Sequence, residues 1–252
     1  MTDGRDTVLG KAMAILQAFT VERTTLTFAQ IRDATGLPKA TVHRLLGDLV
    51  EHGLLDRTGS TYRLSRLVFE LGMRASVERG LIEVSGPFLE ELRDRVREIV
   101  HLGVREGSEV VYVAKIGAHL GGGAPSRIGG RMPLHATALG KVLLAFSPVD
   151  EQNRILAEPL ARFTPRTVTE PGRLRRQLDE IRESGLSREY EESAVGVVCV
   201  AAPVLDRDDR IVAAVSVTGP TTGFQPERHA GAVRAAARGI SATLARRSEL
   251  TD

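Results

Sequence analysis

Between Leu26 and Leu67 the chain reads LTFAQIRDATGLPKATVHRLLGDLVEHGLLDRTGSTYRLSRL. Thr41 and Arg44 lie three positions apart in it, so on a helix they share a face. Arginine can pair with guanine O6 and N7. Threonine can exchange hydrogen bonds with a base edge, and its methyl can meet a thymine methyl. Lys39 and His43 flank this pair and suit phosphate oxygens, as do the N–H groups of a helix start. Arg57 and Arg63 follow on a segment of different periodicity, placed to meet a sugar-phosphate backbone. This is chemistry for duplex DNA.

The elements that must carry these side chains are legible. Thr27 caps a helix, and Gln30 three residues later completes a capping box. Phe28, Ile31 and Ala34 recur at three-residue spacing and face one side. Gly36 suits a left-handed C-cap, and Pro38 sits where a second helix starts and its missing N–H matters least. Val42, Leu45, Leu46, Leu49 and Val50 form the buried stripe of that helix. Two short helices across a glycine-containing turn make a helix-turn-helix. After Gly53, Leu54–Arg57 and Thr61–Leu64 read as two short strands joined through Thr58-Gly59-Ser60, the hairpin wing of a winged helix. The second helix would enter the major groove. A helix pair with a hairpin can also be a packed subdomain or a protein-interaction module. The order of cap, turn, proline and wing favours DNA.

The whole chain has 252 residues, enough for one or two domains. Hydrophobic residues are 42% and charged residues 26%, a globular balance and not that of a disordered chain. The net charge of +2 is too small to coat nucleic acid by charge alone. Residues 1–80 hold eleven basic and nine acidic side chains, and the remainder is balanced, so the excess lies at the N-terminal end. Cys199 is the single cysteine, which excludes an internal disulfide and a multi-cysteine zinc site. No cofactor and no metal are expected. The first twenty residues lack a basic leader and a cleavage site, and no run reaches the ~18 apolar residues of a bilayer span. A soluble, cytoplasmic protein without membrane partners is expected. Aromatic residues are 4% and tryptophan is absent, which argues against a surface of stacking platforms.

Beyond the wing, Val68–Gly80 reads as a connecting helix. Residues 107–117 read as a strand, and Gly121, Gly122, Gly123 and Pro125 as a loop. Residues 135–146 read as a helix ending before Pro148, and a further helix carries Pro171 near its start and Gly185 past its end. Two strands follow, VGVVCVAAPVLD and RIVAAVSVTG, joined by a wet turn over Asp206–Arg210. A long helix runs from Pro226 to Arg247. Strands interleaved with helices give an α/β or α+β domain with a central sheet. Val198, Val200 and Ala202 alternate with Cys199 and Ala201, and Ser216 faces opposite to Val215 and Val217. One set lines a pocket and the other a helical layer. Thr137 and the N–H groups after Pro133 sit near a helix N-terminus, which favours a carboxylate.

Long segments resemble the IclR family of bacterial transcription regulators. They are AMAILQAF (12–19), ATGLPKATVHRLLGDLVEHGLL (34–55), TYRLSRLVFELG (61–72), GGRMPLHATALGKVLLA (129–145), GLSREYEESAVGVVCVAAPVLDRDDRIVAAVSVTGP (185–220) and the alanine-rich terminal helix. The resemblance implies an α+β protein: a winged helix-turn-helix DNA-binding domain (1–67), a linker helix (68–80) and a GAF-like effector-binding domain (81–252). It implies a homodimer or homotetramer on palindromic double-stranded operator DNA, contacts with RNA polymerase, and a small effector, an aromatic or short-chain organic acid. Carried over by motif, the effector site involves Gly130, Arg131, Met132, Leu134, His135, Thr137, Glu191, Cys199, Ser216 and Thr218. Each has a plainer role open to it. Cys199 suits a buried core position, and Arg131 suits either an anion clamp or a solvated loop. His135 can support its own helix, and Glu191 can bridge to a basic residue. Residues 117–130 read as a lid or subunit-contact loop, not a phosphate cradle.

Catalysis has little support. Cys199 and His135 are the one conceivable nucleophile–base pair, and neither a nucleophile elbow nor HExxH is present. A winged-helix regulator acting through protein contacts without an effector is the remaining alternative.

Overall fold

In the computed structural model, which describes residues 6–20, 23–72, 74, 76–117 and 126–249, the chain divides into two units, Met1–Arg79 and Gly80–Asp252. The first unit holds helices α1 (Val8–Gln17), α2 (Phe28–Thr35), α3 (Lys39–Glu51) and α4 (Arg66–Gly72). Its strands are β1 (Thr25–Thr27), β2 (Leu55–Thr58) and β3 (Thr61–Leu64). The capping box is formed: the Gln30 amide N–H donates to Thr27 Oγ1 at 3.4 Å and the Thr27 N–H to Gln30 Oε1 at 2.8 Å. Gly36 closes α2 at φ +66°, a conformation that a side chain would strain. Val42, Leu45, Leu46 and Leu49 of α3 are buried against Ile15, Leu26, Ile31, Leu55 and Tyr62, while Val50 is half-buried. Full burial stabilises each such leucine by roughly 1.5–3 kcal/mol. The wing is an antiparallel sheet of order β1-β3-β2. Three-residue β1, which ends on the Thr27 cap itself, adds an edge that the local pattern does not show.

The second unit begins within α5 (Ser76–Val96). The single connecting helix expected over 68–80 is therefore two, α4 ending at Gly72 and α5 continuing to Val96. Gly80 does not stop α5, because Leu81, Leu89 and Leu92 further on are buried against the sheet and hold the helix in place. The unit continues through β4 (Ile99–Glu106), β5 (Glu109–Ile116), β6 (Arg131–Pro133), α6 (Ala138–Ala145), α7 (Val149–Ala157) and α8 (Pro171–Ser184). It ends with β7 (Ser187–Tyr190), β8 (Val197–Leu205), β9 (Ile211–Pro220) and α9 (Pro226–Glu249). The expected loop at Gly121–Gly123 and Pro125 lies outside the described residues.

Six antiparallel strands run in the order β6-β5-β4-β9-β8-β7. Strand alternation divides the sheet into two faces. Val100, Leu102, Val198, Val200, Val204, Val215 and Val217 pack with α5 and α9. Val110, Tyr112, Ala201, Ala214 and Cys199 lie on the other face with α6, α7 and α8. Helix α6 is buried along its whole length, Lys141 included, so it is an interior helix and not an amphipathic surface one. No described helix is long and apolar enough to cross a membrane.

Candidate functional site

The buried stripe of α3 turns its other side outward. Lys39, His43 and Arg44 are exposed and Thr41 is half-buried, so the expected base-reading pair stands on the accessible face. Arg44 donates to Asp48 one turn later at 3.0 Å, and the His43 ring lies 6.4 Å from that of Phe28. In the wing, Arg57 Nε donates to the Gly59 carbonyl at 3.1 Å, with its guanidinium 5.7 Å from the centre of the Tyr62 ring. Arg63 pairs with Asp56 at 2.9 Å. Asp56 stands opposite Arg63, and Arg57 opposite Tyr62. Arg57 and Arg63 consequently occupy opposite faces of the hairpin, which sequence spacing did not reveal. Exposed ion pairs contribute about 0–1 kcal/mol, so Arg44 and Arg63 are readily released to a nucleic-acid partner.

In the second unit, register builds a polar row across the sheet. Glu189 of β7 is opposite Cys199 of β8, and Cys199 is opposite Thr218 of β9. His101 of β4 is opposite Ser216 of β9. A thiol–hydroxyl hydrogen bond joins Cys199 Sγ and Thr218 Oγ1 at 3.1 Å. Thr218 Oγ1 lies 3.4 Å from His101 Nδ1, and His101 Nε2 lies 2.7 Å from Ser126 Oγ. These side chains wall a cavity of about 20 Å³ between the sheet and the start of α6. Met132, Thr137, Cys199, Ser216 and Thr218 all line it, as do His101, Tyr112 and Ser193, which sequence reasoning missed. Burial pushes the Cys199 thiol and the Tyr112 phenol well above their ordinary pKa values, so both are neutral.

Of the other expected ligand residues, Gly130, Arg131, Leu134, His135 and Glu191 do not line this cavity. Leu134 is fully buried in the apolar layer around α6. Arg131 is exposed and pairs with Glu109 at 3.2 Å. The Gly130 carbonyl accepts from the Tyr112 N–H at 3.1 Å. His135 Nε2 is 2.8 Å from the Ala161 carbonyl, and burial lowers its pKa. Cys199 and His135 thus have different partners and form no nucleophile–base pair. Thr137 uses its hydroxyl to cap α6, accepting from the Gly140 N–H at 3.0 Å. Glu191 pairs with Arg166 at 2.9 Å and accepts from the Gly196 N–H at 2.8 Å, which is the bridging role.

Glu189, not Glu191, is the acid that stands opposite Cys199 in the polar row. The two share strand parity, but Glu191 lies past the end of β7 at φ +58°, where alternation no longer applies. Glu189 is fully buried. Its Oε1 accepts the Ser193 N–H at 3.0 Å and the Glu192 N–H, and its Oε2 has no hydrogen-bond partner among the described residues. Burial is the main cause of a carboxyl pKa raised to about 7, and the two backbone N–H groups oppose it. Behind it Lys141 pairs with Glu192 and donates to Gln177 Oε1 at 2.9 Å. Burial lowers the Lys141 pKa, and the attraction of Glu192 and Glu189 opposes that. A larger open groove of about 610 Å³ lies outside this pair, bordered by Arg162, Arg166 and Arg173. It contains none of the expected ligand residues.

A winged helix-turn-helix followed by a separate α/β unit is the architecture of a two-part DNA-binding regulator. Residues 8–59 match the IclR helix-turn-helix domain, and residues 73–242 match the domain described as bacterial transcriptional regulator IclR C-terminal. The chain belongs to the IclR family of bacterial transcriptional regulators, and accordingly acts on DNA and is not an enzyme. It is 36% identical over 240 residues to the HTH-type transcriptional regulator KdgR of Escherichia coli, covering 93% of this chain and 91% of that protein. It is 37% identical over 215 residues to XynR of the same organism, covering 84% and 85%. An IclR homolog from Microbacterium hydrocarbonoxydans, solved in complex with 4-hydroxybenzoate, superposes with a TM-score of 0.87 at 31% identity, covering 94% of this chain and 99% of that one.

Proposed function

We propose that this regulator binds a palindromic operator as a homodimer or homotetramer, and that a small aromatic or short-chain organic acid in the cavity beside α6 modulates that binding. The observation that carries the effector reading is the likeness to the 4-hydroxybenzoate complex, taken with the polar row Cys199–Thr218–His101–Ser126. Residues 1–67 form the DNA-binding part, 68–80 the link and 81–252 the effector part. Arg44 and Thr41 read bases, while Lys39, His43, Arg57 and Arg63 hold phosphates. RNA polymerase is a further partner on this reading, and the cytoplasm the place of action. Effector and operator affinities are then coupled reciprocally.

A cavity of about 20 Å³ has room for about one water, so a ring-bearing acid enters only when the wall opens. Half-buried Met132, unbranched and adaptable, is the wall residue best suited to give way. The same small volume favours a second reading, a regulator that works through protein contacts alone. A thermal shift with 4-hydroxybenzoate separates the two, because only a ligand bound to the folded state raises the melting temperature.

Fluorescence anisotropy at fixed salt tests the DNA site, with the DNA flanking the protein's own gene against random duplex. Arg44→Ala is expected to lose about 1–3 kcal/mol of preference for the operator. Arg63→Ala is expected to weaken both duplexes alike. Equal losses on both duplexes for Arg44→Ala would remove its base-reading role.

A further inference from the structure

Two buried carboxyls, Glu189 and Glu192, lie near one buried cation, Lys141. Glu192 uses it: Oε1 meets Lys141, and Oε2 accepts the Val168 N–H at 3.2 Å. That pair is closed and neutral. Glu189 is left as the surplus acid. The groups facing it are Cys199 from β8, Tyr112 from β5, Glu192 from the turn after β7 and Lys141 from α6. Cys199 and Tyr112 are neutral, and Lys141 is committed to Glu192 and Gln177. The neighbouring Arg188 is on the opposite strand face and pairs with Glu227 at 3.0 Å. Basic character lies at the other end of the polar row, where His101 meets Ser126 Oγ and Lys115 donates to the Ser126 carbonyl at 2.6 Å.

We propose that Glu189 makes the site specific for an acid taken up together with a proton: when a carboxylate enters the cavity, Glu189 becomes or stays protonated. This rests on the reading of the cavity as the effector site. The geometry decides where the proton goes. Oε1 is held as an acceptor by two backbone N–H groups, so the proton from solvent forms its bond at Oε2. The carboxylate becomes a neutral carboxylic acid, and the unit's charge does not change on binding a monoanion. Two unscreened negative charges, one in the cavity and one buried next to its Cys199 wall, would repel far more strongly than in water. In the free protein Glu189 titrates near neutrality, so the coupling operates at ordinary pH.

The test is calorimetric titration of the full chain with 4-hydroxybenzoate, whose carboxylate stays ionised from pH 6 to pH 8. With a group titrating near 7, Kd is expected to rise about tenfold from pH 6 to pH 8, with uptake of about 0.9 proton at pH 8 in buffers of different ionisation heat. Glu189→Gln, neutral and of the same shape, should bind with one pH-independent affinity close to that of the native chain at pH 6. Binding without proton uptake by the native chain overturns the proposal and leaves the effector site standing. Uptake that persists in Glu189→Gln overturns it in favour of His101. Failure of 4-hydroxybenzoate and short-chain acids to bind at either pH overturns the effector reading itself, and this proposal with it.

Discussion

Glu192→Ala is expected to destabilise the second unit by roughly 3–5 kcal/mol, because it leaves the Lys141 ammonium buried without its counter-charge. Lys141 is fully buried and Glu192 nearly so. The substitution also removes the acceptor of the Val168 N–H. A loss of that size is a large share of the 5–15 kcal/mol that holds a typical domain folded. Urea unfolding of the full chain, followed by a probe of the second unit, measures it. Lys141→Met combined with Glu192→Gln should recover more than half of the loss. The double change removes the stranded charge, and the glutamine oxygen still faces Val168. A loss below about 1 kcal/mol for Glu192→Ala would show that the charge finds water or another acid, contrary to the burial described.

Gly140→Ala is the second large effect. A Cβ at Gly140 would fall inside the contact distance of the Leu134 carbonyl oxygen and Cα and of Thr137 Oγ1. Two of those atoms are backbone, and the third is the hydroxyl that caps α6, so none can rotate away freely. Overpacking of this kind is expected to destabilise by about 3 kcal/mol, the upper end of its usual range. It should also displace Thr137, Ala138 and Leu139, which line the cavity. Ligand affinity should therefore fall in parallel with the unfolding midpoint, while the first unit's wing and helices are untouched. An alanine variant with unchanged stability and affinity would show that α6 can slide away from Leu134.

The N-terminal unit was readable because what defines it is local. Thr27 and Gln30 cap within four residues, Gly36 ends a helix at its own φ, and the stripe from Val42 to Leu49 repeats within one helix. Even there, the opposite facing of Arg57 and Arg63 came from strand register. In the second unit, alternation along Val198–Ala202 and Val215–Val217 correctly separated two faces. The neighbours of each strand were not readable, since β4 pairs with β9 more than a hundred residues away.

The sequence by itself determined the family, the helix-turn-helix and the two-faced strands, through caps, periodicity and long matching segments. Tertiary structure alone decided which polar groups share a cavity and which charges are buried. In ALGKVLLA nothing distinguishes Lys141 from a solvated lysine, and packing against Glu192 and Gln177 makes it an interior cation. In SREYEES the acids at 189, 191 and 192 look alike. The positive φ at Glu191 sends them to three environments: Glu189 beside the cavity, Glu191 to Arg166 and Glu192 to Lys141. Environment sets the charge of a carboxyl, and environment is a property of groups brought together from distant parts of the chain.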